Sequence, residues 1–116
     1  MTMNQHNLET YDKVKRVLQK RFPLTFNELK PLPLQMGIEK SLMAYFKSRF
    51  PYKDLVIFLK QWTSSYEYMQ AMSENKHRFN AEGVRVGYVS KNQQAYHKML
   101  LNKKVKQDEQ QQHTTS

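Results

Sequence analysis

Cysteine is absent from the chain. Disulfides, thiolate zinc sites and a thiol nucleophile are therefore excluded, and a reducing compartment is the expected setting. Acids are scarce, ten Asp and Glu in 116 residues, and no two are spaced as a general acid/base pair. Only three glycines occur, and none belongs to a phosphate-cradling or dinucleotide-binding loop. The four histidines, His6, His77, His97 and His113, show no metal-ligand spacing, and Ser64 and Ser65 have no His–Asp partner set. No apolar run approaches the roughly 20 residues that span a bilayer. Met1–Asn7 is polar, without the apolar core of a signal peptide. These gaps predict a cytoplasmic protein that is not an enzyme and uses no cofactor or metal.

What is abundant is positive charge. Nineteen Lys and Arg leave a formal net charge of +9, and the last two acids, Asp108 and Glu109, fall in the polar end of the chain. A domain this basic attracts polyanions and releases counterions on binding them. Nucleic acid is the first partner class to consider and an anionic membrane surface the second. Apolar residues make up 39% of the chain and aromatics 12%, enough for one core and one domain.

The apolar pattern divides the chain. Residues 1–8 are polar, and a flexible N-terminus is expected. Tyr11, Val14, Val17 and Leu18 recur at helical spacing within Glu9–Arg21, and Pro23 ends that helix. Phe22, Phe26 and Leu29 suggest a short core plug. Pro31 and Pro33 enforce an extended link. A helix over Glu39–Arg49 follows, and Pro51 suits the first turn of another. Leu55, Phe58, Leu59 and Trp62 form the buried stripe of that next helix. Ser64 and Glu67 have capping-box spacing, so a further helix carries Tyr66, Tyr68, Met69 and Met72 to about Asn75. Around Gly83 the period changes to two, predicting a β-hairpin over His77–Val89. Ser90 and Gln93 form a second capping box, opening a final helix from Lys91 to about Val105. The Gln-rich segment 107–116 is expected to be a disordered polar tail. The predicted fold is α+β and predominantly helical. It has about five to six helices and one small hairpin before the last, with residues 9–106 as the domain.

Several residues carry binding chemistry beside a plainer structural role. Thr63, Ser64 and Ser65 suit a helix cap, and the same helix start offers free N–H groups to a phosphate or terminal ribose. Tyr66 and Tyr68 point to different faces, one to the core and one outward, and the period does not say which. An outward tyrosine stacks on bases. Arg78 is an ordinary solvated arginine by default, yet its guanidinium geometry suits phosphate. No acid lies between Gly83 and Gln107, a stretch holding Lys91, Lys98, Lys103, Lys104 and Lys106. Such a one-signed run reads as an electrostatic footprint for RNA.

Arg21-Phe22-Pro23, Pro33–Ile38 (PLQMGI), Trp62–Tyr68 (WTSSYEY) and Arg78-Phe79-Asn80 with Gly83 occur in that order. Over about residues 9–102 this constellation resembles the ProQ/FinO RNA-chaperone domain. The resemblance implies a mainly helical fold with a small hairpin. It also implies binding of RNA hairpins with a short 3′ tail, as in intrinsic terminators and small regulatory RNAs. It selects Tyr68 as the exposed tyrosine and places Tyr68, Arg78 and Lys60 on a concave RNA-binding face. Three positions depart from the family pattern: Gln35 stands where Lys is frequent, Asn80 where Asp is frequent, and Val56 where a basic residue is common. Basic contacts are then expected at Lys53, Arg85 or the last helix. The implied partners are hairpin RNAs, small regulatory RNAs and mRNA 3′ ends, bound by a monomer that makes no membrane contact.

Two other classes compete. A helix-turn-helix DNA-binding domain would use the helices around Trp62 and Tyr66. A protein- or membrane-surface module would use the basic last helix, whose Ala95, Met99, Leu100 and Leu101 are instead expected to pack on the core.

Overall fold

A computed structural model describes residues 4–47 and 49–114, with side chains as far as Gln107. Among these residues five helices and a two-stranded hairpin follow the order of the hydrophobic periods. Helix α1, Gln5–Arg21, starts earlier than the apolar pattern suggests. Asn4 caps it, its side-chain oxygen accepting from Asn7 N–H at 2.8 Å. The expectation of a loose segment 1–8 thus fails from Asn4 onward, and residues 1–3 lie outside the described residues. Phe22 and Phe26 plug the core as expected, but Leu29 is 85% exposed. The side-chain oxygen of Asn27 accepts from the N–H groups of Leu29 and Lys30, a tight turn that swings Leu29 outward before Pro31.

Helix α2, Ile38–Tyr45, is shorter than the Glu39–Arg49 reading and ends in a cap at Phe46; Ser48 lies outside the described residues. Gly37 precedes α2 at φ 75°, a left-handed turn that glycine adopts without strain. Helix α3, Tyr52–Trp62, uses Pro51 as its N-cap. It buries Leu55, Phe58 and Trp62 against α1, where Tyr11 stacks on Phe58 at 5.2 Å between ring centroids. Phe26 closes this aromatic cluster at 5.9 Å from Phe58 and 5.6 Å from Trp62. Helix α4, Tyr66–Glu74, is capped by Ser65 rather than Ser64. Ser65 Oγ accepts from Tyr68 N–H at 3.2 Å, while Ser64 Oγ donates back to the Lys60 carbonyl.

Strands β1, His77–Phe79, and β2, Arg85–Tyr88, pair antiparallel, with an irregular register beside Arg78. The side chain of Asn80 shapes the connecting turn, accepting from Glu82 and Val84 N–H at 3.0 Å each. Gly83 completes the turn at φ 86°. Asn80 therefore orients the hairpin turn. Leu34 bridges to the far side of β1, so the 33–35 segment adds a short third rail to the hairpin.

Helix α5, Lys91–Thr114, opens with the predicted reciprocal cap of Ser90 and Gln93. It passes Val105 and continues through most of the segment expected to be disordered; residues 115 and 116 lie outside the described residues. No Gly or Pro follows Gly87, and Lys, Gln and Glu are good helix formers. The helix lies along α4, yet none of its described side chains is fully buried. Ala95 and Met99 are exposed, and only Leu100 and Leu101 are half-buried, so the expected core packing of all four fails. No helix among the described residues is long and apolar enough to cross a membrane.

Candidate nucleic-acid interface

Proline at 31 and 33 keeps the chain extended, and the extended backbone presents the Leu34 peptide groups sideways. Backbone bonds fix this segment to β1: Gln35 N–H donates to the Phe79 carbonyl, and Phe79 N–H to the Pro33 carbonyl, both at 2.8 Å. Two side chains then hold Leu34. Its N–H donates to the Tyr68 hydroxyl at 3.0 Å, and its carbonyl accepts from Arg78 Nη1 at 2.7 Å. Tyr68 and Arg78, which the family resemblance groups, thus come together from α4 and β1.

Their exposure differs from expectation. Tyr68 is only 4% exposed and Arg78 9%, while Tyr66 is half-buried. The outward tyrosine of α4 is therefore not Tyr68. Its ring enters the core because its hydroxyl has a buried backbone donor to satisfy. Tyr66 instead lies under the Lys104 ammonium, 4.9 Å from the ring centroid. Burial pushes the Tyr68 hydroxyl above the ordinary tyrosine pKa, and the Leu34 N–H and nearby Arg78 oppose this in part. The hydroxyl accordingly stays protonated at neutral pH.

Tyr68 and Arg78 form the floor of a cleft of about 480 Å³ between the 34–39 segment and α3. Gln35 and Met36 stand on one side. Tyr52, Val56, Lys60 and Thr63 stand on the other, spaced along one face of α3. Lys60 and Arg78 face one acid, Glu39. Among the described residues the ion pairs involve only Lys15, with Asp12 and Glu28, so neither cleft cation is neutralised by a carboxylate. An arginine with one N–H on a carbonyl keeps further donors for an anion.

Five predicted residues therefore meet in one cleft: Gln35, Lys60, Thr63, Tyr68 and Arg78. Thr63 Oγ1 donates to the Leu59 carbonyl at 2.8 Å. The other six lie outside its lining. Ser64 is exposed beside the mouth, its carbonyl accepting from Lys104 Nζ at 3.2 Å. Ser65 is spent on the α4 cap and on the Trp62 carbonyl. Lys53 is exposed on the first turn of α3, Arg85 on β2, and Lys91 and Lys98 on α5. Sequence reasoning missed Tyr52 and Met36, which are 53% and 73% exposed at the cleft mouth. Large apolar side chains that the helical stripes leave outside the core were the available signal. Among the described residues no group of three or more His, Asp or Glu side chains is placed to hold a metal ion.

Comparison with known proteins agrees with this architecture. The fold resembles the crystal structure of a FinO-like RNA chaperone from Neisseria meningitidis MC58, at a TM-score of 0.72 and 16% identity. That match covers 90% of this chain and 84% of the other. It also resembles the solution structure of a ProQ homolog from Legionella pneumophila. There the TM-score is 0.63 at 20% identity, covering 88% and 85%. No curated protein sequence matches the chain. The profile of the ProQ/FINO family matches residues 8–114, nearly the whole length. The chain belongs to the ProQ/FINO family.

Proposed function

We propose that the protein is an RNA-binding chaperone that grips a hairpin stem together with its single-stranded 3′ end. The observation that carries this reading is the cleft floored by Arg78 and Tyr68. It is a site with a buried arginine, Arg78, and an exposed lysine, Lys60, that among the described residues no carboxylate neutralises. Arg78 and Lys60 receive the terminal phosphates there, and Tyr68 acts by holding the Leu34 peptide in place. The exposed Lys53, Arg85, Lys91 and Lys98 supply longer-range attraction to the phosphates of the stem. Recognition of this kind follows shape and terminus more than base sequence. Chaperoning follows from binding and protecting the RNA, without a nucleotide-driven step. Likeness to a protein described as a FinO-like RNA chaperone supports the reading, as does the net charge of +9. A monomer in the cytoplasm suffices for it.

A helix-turn-helix reading fits less well. The would-be recognition helix, α4, turns Tyr68, Ala71 and Met72 inward and leaves Glu67, Gln70 and Glu74 outward. Two acids on that face oppose entry into a phosphate-walled groove. The test is a gel shift at fixed salt with a hairpin carrying a 3′ tail, the same hairpin blunt-ended, and a DNA duplex. The tailed hairpin should bind tightest. Preference for the DNA duplex, or for the blunt hairpin, would overturn the proposal.

A further inference from the structure

The hairpin turns an unusual face to solvent. Val86 is 46% exposed and Tyr88 77%, and Met36 faces them at 73%. These three residues line a second cleft, of about 320 Å³, together with Gln35, Arg78, Gly87 and Gln93. Gly87 lies opposite Arg78 in the strand pairing and adds no side chain. The Tyr88 ring is held in place by His77 across the strand, at 5.3 Å between centroids. Gln35, Met36 and Arg78 belong to both clefts and form the sill between them. A chain leaving the first cleft over that sill arrives at the Tyr88 ring.

We infer that the Tyr88 cleft is a second RNA subsite, which stacks unpaired nucleotides continuing from the hairpin held in the first. The inference rests on the RNA-binding reading above. The occupant follows from charge and continuity. No acid occurs from residue 84 to 107, Arg85 and Lys91 are exposed on the same part of the chain, and the floor cation Arg78 is shared. An exposed aromatic ring in a cationic setting offers a base a face to stack on, without sequence preference. Met36 and Val86 give the neighbouring sugar and base edge an apolar wall.

The test uses the full chain and hairpins extended at the 3′ or the 5′ end by a short or a long unpaired segment, about two or about eight nucleotides. Single-stranded platforms of this kind span about 4–16 nucleotides. The unmodified protein should gain affinity with the long extension at one end, and the two ends tell which flank uses the subsite. Tyr88→Ala should lose that gain, about tenfold, while its affinity for the short-tailed hairpin is unchanged. Tyr88→Phe should keep the gain. Gly87→Val adds a side chain to the cleft lining, and its Cβ meets Arg78 Cβ at 3.9 Å, an ordinary contact. It too should lose only the gain. A gain retained in either Tyr88→Ala or Gly87→Val overturns the subsite, as does equal affinity for short and long extensions. A concentration-dependent dimer abolished by Tyr88→Ala, with no effect on RNA, would assign the face to a second copy and overturn it as well. If the short-tailed hairpin itself fails to bind, the first-cleft reading has failed and the subsite falls with it.

Discussion

Helix α4 separates two clefts of similar size and opposite charge. On the side of Tyr68, about 480 Å³ of space is faced by Lys60 and Arg78 against Glu39. On its outer side, about 340 Å³ is faced by Glu67 and Glu74 against Lys30. One short helix thus keeps its acids away from the cations it helps to position. In a chain of +9, the contrast between these walls says more about where a polyanion goes than the overall charge does. Volume alone would not separate the two clefts.

The largest expected effect comes from removing the floor cation. Arg78→Ala should weaken tailed-hairpin binding about 10–100-fold, the range for losing one charged, buried hydrogen-bonding group. It also leaves the Leu34 carbonyl without its donor, so a thermal melt must accompany the gel shift. Lost binding with the melting transition retained is the outcome that sharpens the contrast. Binding unchanged would break it.

Exchanging the charges comes next. Lys60→Glu should cost on the order of tenfold and lower the salt dependence of binding by about one counterion. The paired change Glu67→Lys with Glu74→Lys, in the outer cleft, should leave affinity equal or somewhat higher. Both sets are exposed, so folding should be unaffected. If the outer-cleft variant instead loses affinity, the acids of α4 face the RNA and the assignment of the two walls is reversed.

How far the sequence foretells these walls depends on the range of the interaction. Helices α1, α3 and α4 were legible because their apolar stripes recur with the helical period. The Ser90–Gln93 cap was legible because both partners sit within one turn. Failures of one residue, such as Ser65 taking the cap expected of Ser64, reflect two adjacent side chains able to do the same job. The inward turn of Tyr68 was not legible. Its reason is the Leu34 N–H, 34 positions earlier in the chain. Likewise Arg78 reads as a surface residue until the Leu34 carbonyl, 44 positions away, is brought to it. The resemblance to a known family grouped both residues, which the structure brings to one cleft, but gave Tyr68 the wrong exposure, because a motif records which residue is present and not which way it faces. The length of α5 was missed for a different reason. Its polar outer half has no apolar stripe, and only the absence of a breaker marks it as helix.

Tyr68→Phe isolates the hydroxyl and has a smaller effect. The Leu34 N–H would lose its acceptor in a buried setting, at a cost of about 1–3 kcal/mol in stability. Because Arg78 and Lys60 remain, tailed-hairpin affinity should fall only a few-fold. A fall as large as that of Arg78→Ala would show that Tyr68 contacts RNA directly.

The smallest effect reads the two electrostatic environments through two tyrosines. Burial is the main cause raising both. Around Tyr11 the acids Glu28, Asp12 and Glu67 add to it and push the hydroxyl up to about 12. Around Tyr68, Arg78 works against burial. Glu67→Gln should therefore lower the alkaline midpoint of Tyr11, followed by phenolate absorbance, and leave that of Tyr68 in place. The sign for stability follows from the same shift. An unfolded tyrosine ionises near 10, so the folded state's preference for neutral Tyr11 is fully expressed below that pH. It is lost as pH rises from about 10 toward about 12. Tyr11→Phe, which cannot ionise and keeps the ring against Phe58, should flatten that part of the alkaline stability curve. An unchanged curve would mean that neither burial nor the surrounding acids hold the Tyr11 hydroxyl neutral. A Tyr11 midpoint unmoved by Glu67→Gln would mean that the acid of α4 does not reach it, and the electrostatic division across α4 would be shallower than the side-chain positions imply.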